Sequence, residues 1–366
     1  MTRPASARYA FVDALRGIAA SWVVVYHAYN KNLAPMTGYH LPQPFDAIFN
    51  DGYLGVYIFF VISGFVIMQS MRNAQITPGF VGRFAVRRSL RLDPPYWVAI
   101  AAMIVLSTIS GRLQKDHAAL PLPTPGAVLA HLFYLQAFLG YPQIVGVFWT
   151  LCYEIQFYLA LAIMLGLAQW RALPSRWILF APLWLFAAAV ICNVGPFGDV
   201  TLALFVYGWP YFFLGVVVNW VHNREQPPLA LLVVALATAL LIPFGNPEVA
   251  VAPTPKVITA LVTAGVIYAV SLRGQLATLS LGRALQYLGR ISYSLYLVHM
   301  LVGTPLVRFG LRHLPGHGKG FGPAMILIVL ALAVSIAAAH IMYVLIERPA
   351  VRWSHRFVRM PAHPAT

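Results

Sequence analysis

The apolar stretch from Tyr9 to Tyr29 contains an acid, a base and an imidazole: Asp13, Arg16 and His27. Ionisable groups at bilayer depth are costly unless they are paired or face a cavity, so each is a candidate functional group. The eleven positions from Arg16 to His27 carry a helix through about three turns plus ~20°, which sets both side chains on one face, roughly 16 Å apart. Asp13 precedes Arg16 by three residues, within i,i+3 reach of the guanidinium. A guanidinium suits an anion or a developing negative charge, and an imidazole suits proton transfer near neutral pH. One helix would thus carry a polar stripe from its cytoplasmic entrance to a histidine deep on the far side.

Other segments offer groups to meet that stripe. Phe148–Tyr158 holds Glu154, a lone carboxylate placed one or two turns below the outer surface and therefore at a depth similar to His27. A structural salt bridge and a shared site with His27 are both open, the shared site being favoured. Arg87, Arg88 and Arg91 stand where the chain re-enters the membrane. They read as a positive-inside anchor with the interfacial pair Tyr96 and Trp97, or as a phosphate clamp in which Arg88 and Arg91 converge at i,i+3. Taken alone, the anchor is favoured. In the stretch from Gly52 to Phe65, Gly52, Gly55, Ser63 and Gly64 allow close helix packing, with cavity lining the alternative. Ser292, Tyr293, Tyr296 and His299 share a face at helical spacing, where a structural reading leads. Glu347-Arg348-Pro349 reads as boundary chemistry, the proline stopping a helix.

The elements that must position these groups follow from composition. The 366 residues are 60% hydrophobic and only 10% charged, with a mean hydropathy of +0.73. Soluble domains average about 25% charged residues, so an ordinary soluble fold is excluded. The fold class is all-α: a polytopic helical membrane protein. About ten spans are expected, near 9–30, 53–71, 94–110, 147–169, 177–194, 201–221, 228–244, 257–272, 291–311 and 322–346. Most Lys and Arg then fall on the side that holds both termini, which predicts cytoplasmic termini and an even number of spans. The same rule accounts for the net charge of +15 without nucleic-acid binding. Residues 1–366 form a single membrane domain with a basic tail at about 347–366. The apolar run Val128–Leu139 is too short to span and reads as an interfacial or re-entrant piece in the outer loop 111–146, a candidate lid over an outward-facing site. Cys152 and Cys192 lie in apolar runs with no metal spacing and no disulfide framework. Asp13 and Arg16 interrupt any signal-peptide core, so the first segment is expected to be retained.

Taken together in order, these motifs resemble the acyltransferase family 3 membrane proteins. The resemblance rests on Arg16 with ten intervening residues before His27, Phe59-Phe60-Val-Ile-Ser63-Gly64-Phe65, Arg87-Arg88-x-x-Arg91-x-x-Pro94-x-Tyr96-Trp97, Trp149-Thr-Leu-x-x-Glu154-x-x-Phe157-Tyr158, Tyr287 to His299, and Glu347-Arg348-Pro349. Departures are mild: Thr150 stands where Ser is usual and Leu92 where Ile is usual, and Asp93 adds an acid to the basic turn. The resemblance implies a stand-alone form without a fused esterase-like domain, sited in a bacterial-type cytoplasmic (inner) membrane. It implies O-acyl transfer, usually of acetyl from acetyl-CoA or another acyl-CoA, onto a hydroxyl of a glycan, glycolipid or secreted small molecule.

In that frame His27 is the expected general base, Glu154 its expected orienting partner if within hydrogen-bond reach, and Arg16 a holder of the CoA chain or the oxyanion. Arg87, Arg88, Arg91, Ser63 and Tyr96 are the expected acyl-CoA contacts. Asp13, Trp149, Tyr153, Tyr296 and His299 are further candidates for the substrate cavity; no metal is expected. The partners are the lipid bilayer, acyl-CoA and a hydroxylated acceptor. The main alternative is a proton-coupled transporter or flippase, since buried Asp, Arg, His and Glu also suit a proton relay. No convincing internal repeat supports it.

Overall fold

The computed structural model describes residues 9–113, 122–170, 183, 185–189, 205–244, 253–313 and 319–357. Every regular element among them is helical. The principal helices are α1 (Ala10–Ala28), α2 (Gly55–Met71), α3 (Pro78–Leu113), α4 (Trp149–Trp170), α5 (Trp209–His222), α6 (Pro228–Ala239), α7 (Pro253–Leu272), α8 (Arg283–His313), α9 (Phe321–Met342) and α10 (Arg348–Phe357). An all-helical architecture is what a bilayer requires, because each helix satisfies its own backbone polar groups.

Six of the described helical segments are long and apolar enough to cross a membrane. They coincide with the spans expected near 53–71, 94–110, 147–169, 257–272, 291–311 and 322–346. The α1 helix is not among the six, since Asp13, Arg16 and His27 dilute its apolar character. The span expected near 201–221 is described from 205 on, with a helix of 14 residues, and that near 228–244 forms a helix of 12 residues followed by the helical turn Leu241–Phe244. The span expected at 177–194 lies outside the described residues except for 183 and 185–189, as do residues 114–121 of the outer loop and 358–366 of the basic tail.

Two glycine-mediated crossings set the frame. At the α1–α8 crossing, a Cβ on Gly17 would come 2.6 Å from the Leu285 carbonyl oxygen, and one on Gly289 would collide with the Asp13 carbonyl. The α2–α5 crossing is reciprocal: a Cβ on Gly64 would strike the Phe212 carbonyl, and one on Gly215 the Val61 carbonyl. Small residues let the backbones touch in a medium where apolar burial gives little drive for helix association. Gly64 therefore takes the packing role and its neighbour Ser63 the cavity role.

Helix α3 runs for 36 residues, with Pro94 and Pro95 inside it. Beside the proline pair, the Tyr293 hydroxyl of α8 donates to the Leu92 carbonyl at 2.8 Å. The run Val128–Leu139 forms no span: Pro125–Leu132 is a short helix capped by Thr124, and turns follow it. This piece is docked by the Tyr134 hydroxyl donating to Asp93 at 2.9 Å, and by the fully buried His131. The His131 Nδ1–H donates to the Ala127 carbonyl and its Nε2 accepts from the Ile144 amide, while burial pushes the imidazole below its ordinary range.

Candidate active site

An open cavity with an empty volume of about 850 Å³ lies between α1, α2, α3, α4 and α8. Its polar lining gathers Arg16, Ser63, Arg88, Arg91, Glu154 and Tyr296 from the residues expected in the site. It also includes Thr150, Tyr158, Ser292 and Tyr293. Arg88 and Arg91 reach it together because three positions return a helix to nearly the same face. Arg87, rotated about 100° from Arg88, instead donates to His355 of α10.

The carboxylate of Glu154 accepts from the Ser63 hydroxyl at 2.9 Å and from the Tyr158 hydroxyl. The Arg88 guanidinium stacks over the rings of Phe84 and Tyr158, 5.4 and 5.1 Å from their centroids. Glu154 is within electrostatic reach of Arg16, Arg88 and Arg91, so it sits at the level of Arg16 rather than of His27. It makes no hydrogen bond to His27. Among the described residues, Arg16, Arg88 and Arg91 make no hydrogen bond or ion pair. Three guanidiniums on one cavity without fixed partners are a site for a multiply charged anion, which supplies the missing contacts in bidentate geometry.

At the far end the partner of His27 is His299. Their rings lie edge to face with centroids 4.9 Å apart, and His299 Nε2 is 3.3 Å from His27 Nδ1. His299 Nδ1 lies 2.8 Å from the Tyr296 carbonyl and 3.2 Å from the Leu295 carbonyl. Both are acceptors, so Nδ1 carries the proton and Nε2 is left to accept. His27 Nδ1 meets the Val23 carbonyl at 2.9 Å as well as His299 Nε2, so it too must be the donor. The lone pair of neutral His27 is thereby set on Nε2. The link back to the cavity is Tyr296, whose hydroxyl is 2.8 Å from Thr150 Oγ1 and donates to the Val147 carbonyl at 3.0 Å. A line of polar groups therefore runs from the arginines past Glu154 to Tyr296, which borders the cavity, and on along α8 to His299 and His27, which lie outside its lining.

Several expected residues stand apart from this line. Tyr96 is not in the cavity lining; it is fully buried, stacked on Tyr134 and edge-on to Phe148. Trp149 and Tyr153 pair with each other at 5.4 Å rather than line the cavity. Asp13 presents its backbone carbonyl to Gly289. Asp93 turns away from the arginines toward Ser89 and Tyr134, which removes the objection it posed to an anion site. Glu347 is more than boundary chemistry. It is only 4% exposed, at the end of the π-helical turn Tyr343–Glu347, and accepts from the Ser294 hydroxyl at 2.6 Å. A carboxylate so near a helix end gave no sequence signal of burial; the Ser292-to-His299 periodicity did signal the α8 face.

A helical membrane-type bundle thus holds an arginine-lined cavity with a histidine pair beside it. Residues 9–343 match the family described as Acyltransferase domain, and the chain belongs to this family, the acyltransferase family 3 membrane proteins, which are multi-pass. The chain is 30% identical over 346 residues to the exopolysaccharide production protein ExoZ of Rhizobium meliloti, covering 90% of this chain and 95% of the relative. It is 28% identical to nodulation protein 10 of Rhizobium leguminosarum bv. viciae, over 93% of this chain and 92% of that one. It is also 28% identical to the acyltransferase MdmB of Streptomyces mycarofaciens, over 82% of this chain and 81% of the relative. No solved structure matches the chain.

Proposed function

We propose that the protein moves an acyl group, acetyl in the simplest case, from acyl-CoA to a hydroxyl of a glycan-type acceptor. The observation that carries the reading is the cluster of three guanidiniums without hydrogen-bonding partners, Arg16, Arg88 and Arg91, on a cavity bordered by Tyr296, one turn from the His299–His27 pair. The CoA moiety has the required charge at one end, in its phosphates, and a thioester at the end of a long arm. Arg88 and Arg91 would hold the phosphates, and the cavity past Ser63 and Glu154 would take the arm. The positive-inside distribution favours a cytoplasmic mouth at the arginines, so the acceptor would meet His27 from the opposite side.

At His27 the bare Nε2 would take the proton from the acceptor hydroxyl as its oxygen attacks the thioester carbonyl. The carbon–sulfur bond then breaks, and the sulfur leaves with the proton that His27 returns. General-base assistance of this kind is typically worth 10² to 10⁴-fold. His299 is a positioning residue: by accepting from His27 Nδ1–H, it holds the ring and its tautomer, the part a carboxylate plays in other histidine sites. A glycan acceptor is supported by the relative named for exopolysaccharide production.

The test is release of free CoA thiol by purified protein given acetyl-CoA and a panel of hydroxylated acceptors, beside His27→Ala. Acceptor-dependent release that disappears in the variant is expected. Wild-type rates in His27→Ala would remove His27 from the mechanism.

A further inference from the structure

Beside His27, a row of tyrosines starts on α1 and runs along the first turns of α2 to α5. The Tyr26 ring lies 5.0 Å from His27 and 5.6 Å from Tyr53. Tyr57 follows Tyr53 by one helical turn and meets Tyr211 edge to face at 4.9 Å. Two ammonium groups sit on the same row: Lys31 is 5.6 Å from the Tyr26 centroid, and the half-buried Lys256 is 5.8 Å from that of Tyr57. Each contact is a cation–π arrangement that holds the ammonium in place while leaving its N–H donors free.

Among the described residues, neither these four hydroxyls nor the two ammonium groups make a hydrogen bond within the protein. Tyr134, Tyr158, Tyr293 and Tyr296 do make such bonds, whereas the buried Tyr96 hydroxyl makes none. Aromatic faces with free hydroxyls suit the apolar faces and hydroxyl edges of a sugar ring. A rigid ring loses little conformational entropy on binding, and free ammonium donors suit an anionic substituent. A carboxylate also borders the row, that of Asp51, an exposed residue beside Tyr53.

We propose that the row formed by Tyr26, Tyr53, Tyr57 and Tyr211 is the acceptor subsite, and that it takes an anionic saccharide. Lys256 holds the charged substituent, and the hydroxyl to be acylated reaches His27. This rests on the acyl-transfer reading for the identity of the row as an acceptor site, but binding can be measured without transfer.

The experiment is calorimetric titration of the full-length protein in detergent with a uronate-containing oligosaccharide, a sugar phosphate and a neutral oligosaccharide of equal length. Wild type should bind an anionic probe at least about tenfold more tightly than the neutral one, the scale of one charge-assisted contact. Lys256→Gln should abolish that preference, Lys256→Arg should retain it, and Tyr57→Ala should weaken all three probes. His27→Ala should keep saccharide binding and lose thiol release. Preference for the uronate assigns the charge to a sugar carboxylate, and preference for the sugar phosphate assigns it to a phosphoryl group. Equal binding of neutral and anionic probes, or an unchanged preference in a folded Lys256→Gln, overturns the proposal. Lys256-dependent binding without any thiol release from wild type would leave the subsite standing and remove the acyl-transfer reading.

Discussion

The two ends of the polar line are built on opposite principles. At the arginine end, Arg16, Arg88 and Arg91 face a cavity without hydrogen-bonding partners among the described residues. At the histidine end, His27 and His299 are tied to three backbone carbonyls and to each other. Cations left unpaired in a low-dielectric setting favour whatever anion restores their contacts, so the first end gains from its ligand. Imidazoles tied to fixed carbonyls have their orientation and tautomer set in advance, so the second end is ready before any ligand arrives. The difference teaches that binding and chemistry are separable here, and mutations should separate them.

The largest effect is expected at the histidine end. His27→Ala should lower the transfer rate by about 10² to 10⁴-fold while leaving the dissociation constant for acyl-CoA near wild type. A parallel loss of acyl-CoA binding in a folded variant would erase the distinction between the ends. Arg88→Ala combined with Arg91→Ala should do the converse, raising the acyl-CoA dissociation constant by roughly 10²-fold, from about 1.5–3 kcal/mol per charge-assisted contact with incomplete additivity. Lysine at the two positions should recover only part of this, lacking the bidentate fork. Unchanged affinity in the double variant would end the clamp idea.

His299→Phe should fall between these and stability effects. With only the Val23 carbonyl left to accept from His27 Nδ1–H, kcat should drop about tenfold with KM little changed, whereas His299→Gln, which retains a second acceptor, should recover part of the rate. A smaller effect on a different quantity is expected at the frame. Gly289→Ala forces a methyl against the Asp13 carbonyl, costing about 1–3 kcal/mol by overpacking. Thermal unfolding in detergent should register it as a lower midpoint. No change there would mean that α1 and α8 can slide apart without penalty.

Much of the site was legible because helical spacing is a strict geometric rule. Arg16 and His27 share a face, as do Arg88 and Arg91, whatever surrounds them. The Ser292-to-His299 periodicity likewise marked the α8 face that meets α1. The pairing across helices was not legible. Glu154 was the expected partner of His27 and the face of His299 was read as structural, but the choice depends on how far α4 and α8 slide along α1. That slide is set by contacts such as Gly17 against the Leu285 carbonyl, which no single helix encodes. Tyr96 lay in a resembling motif yet packs against Tyr134 and Phe148, because the piece around Pro125–Leu132 folds back over α3. Glu347 was hidden by its position at a helix end, where burial depends on the Ser294 of another helix.

What the amino-acid sequence determined by itself was the class and the stripe: an apolar, helical, multi-pass chain whose first helix carries a base and an imidazole in line. Both follow from local quantities, hydropathy and a period of 3.6 residues per turn. What only the tertiary structure decided was which groups have partners. Hydrogen bonds reach about 3 Å and helix packing distances turn on single Cβ atoms, so the unpartnered arginines, the histidine pair and the free tyrosine row emerge only when the helices are brought together.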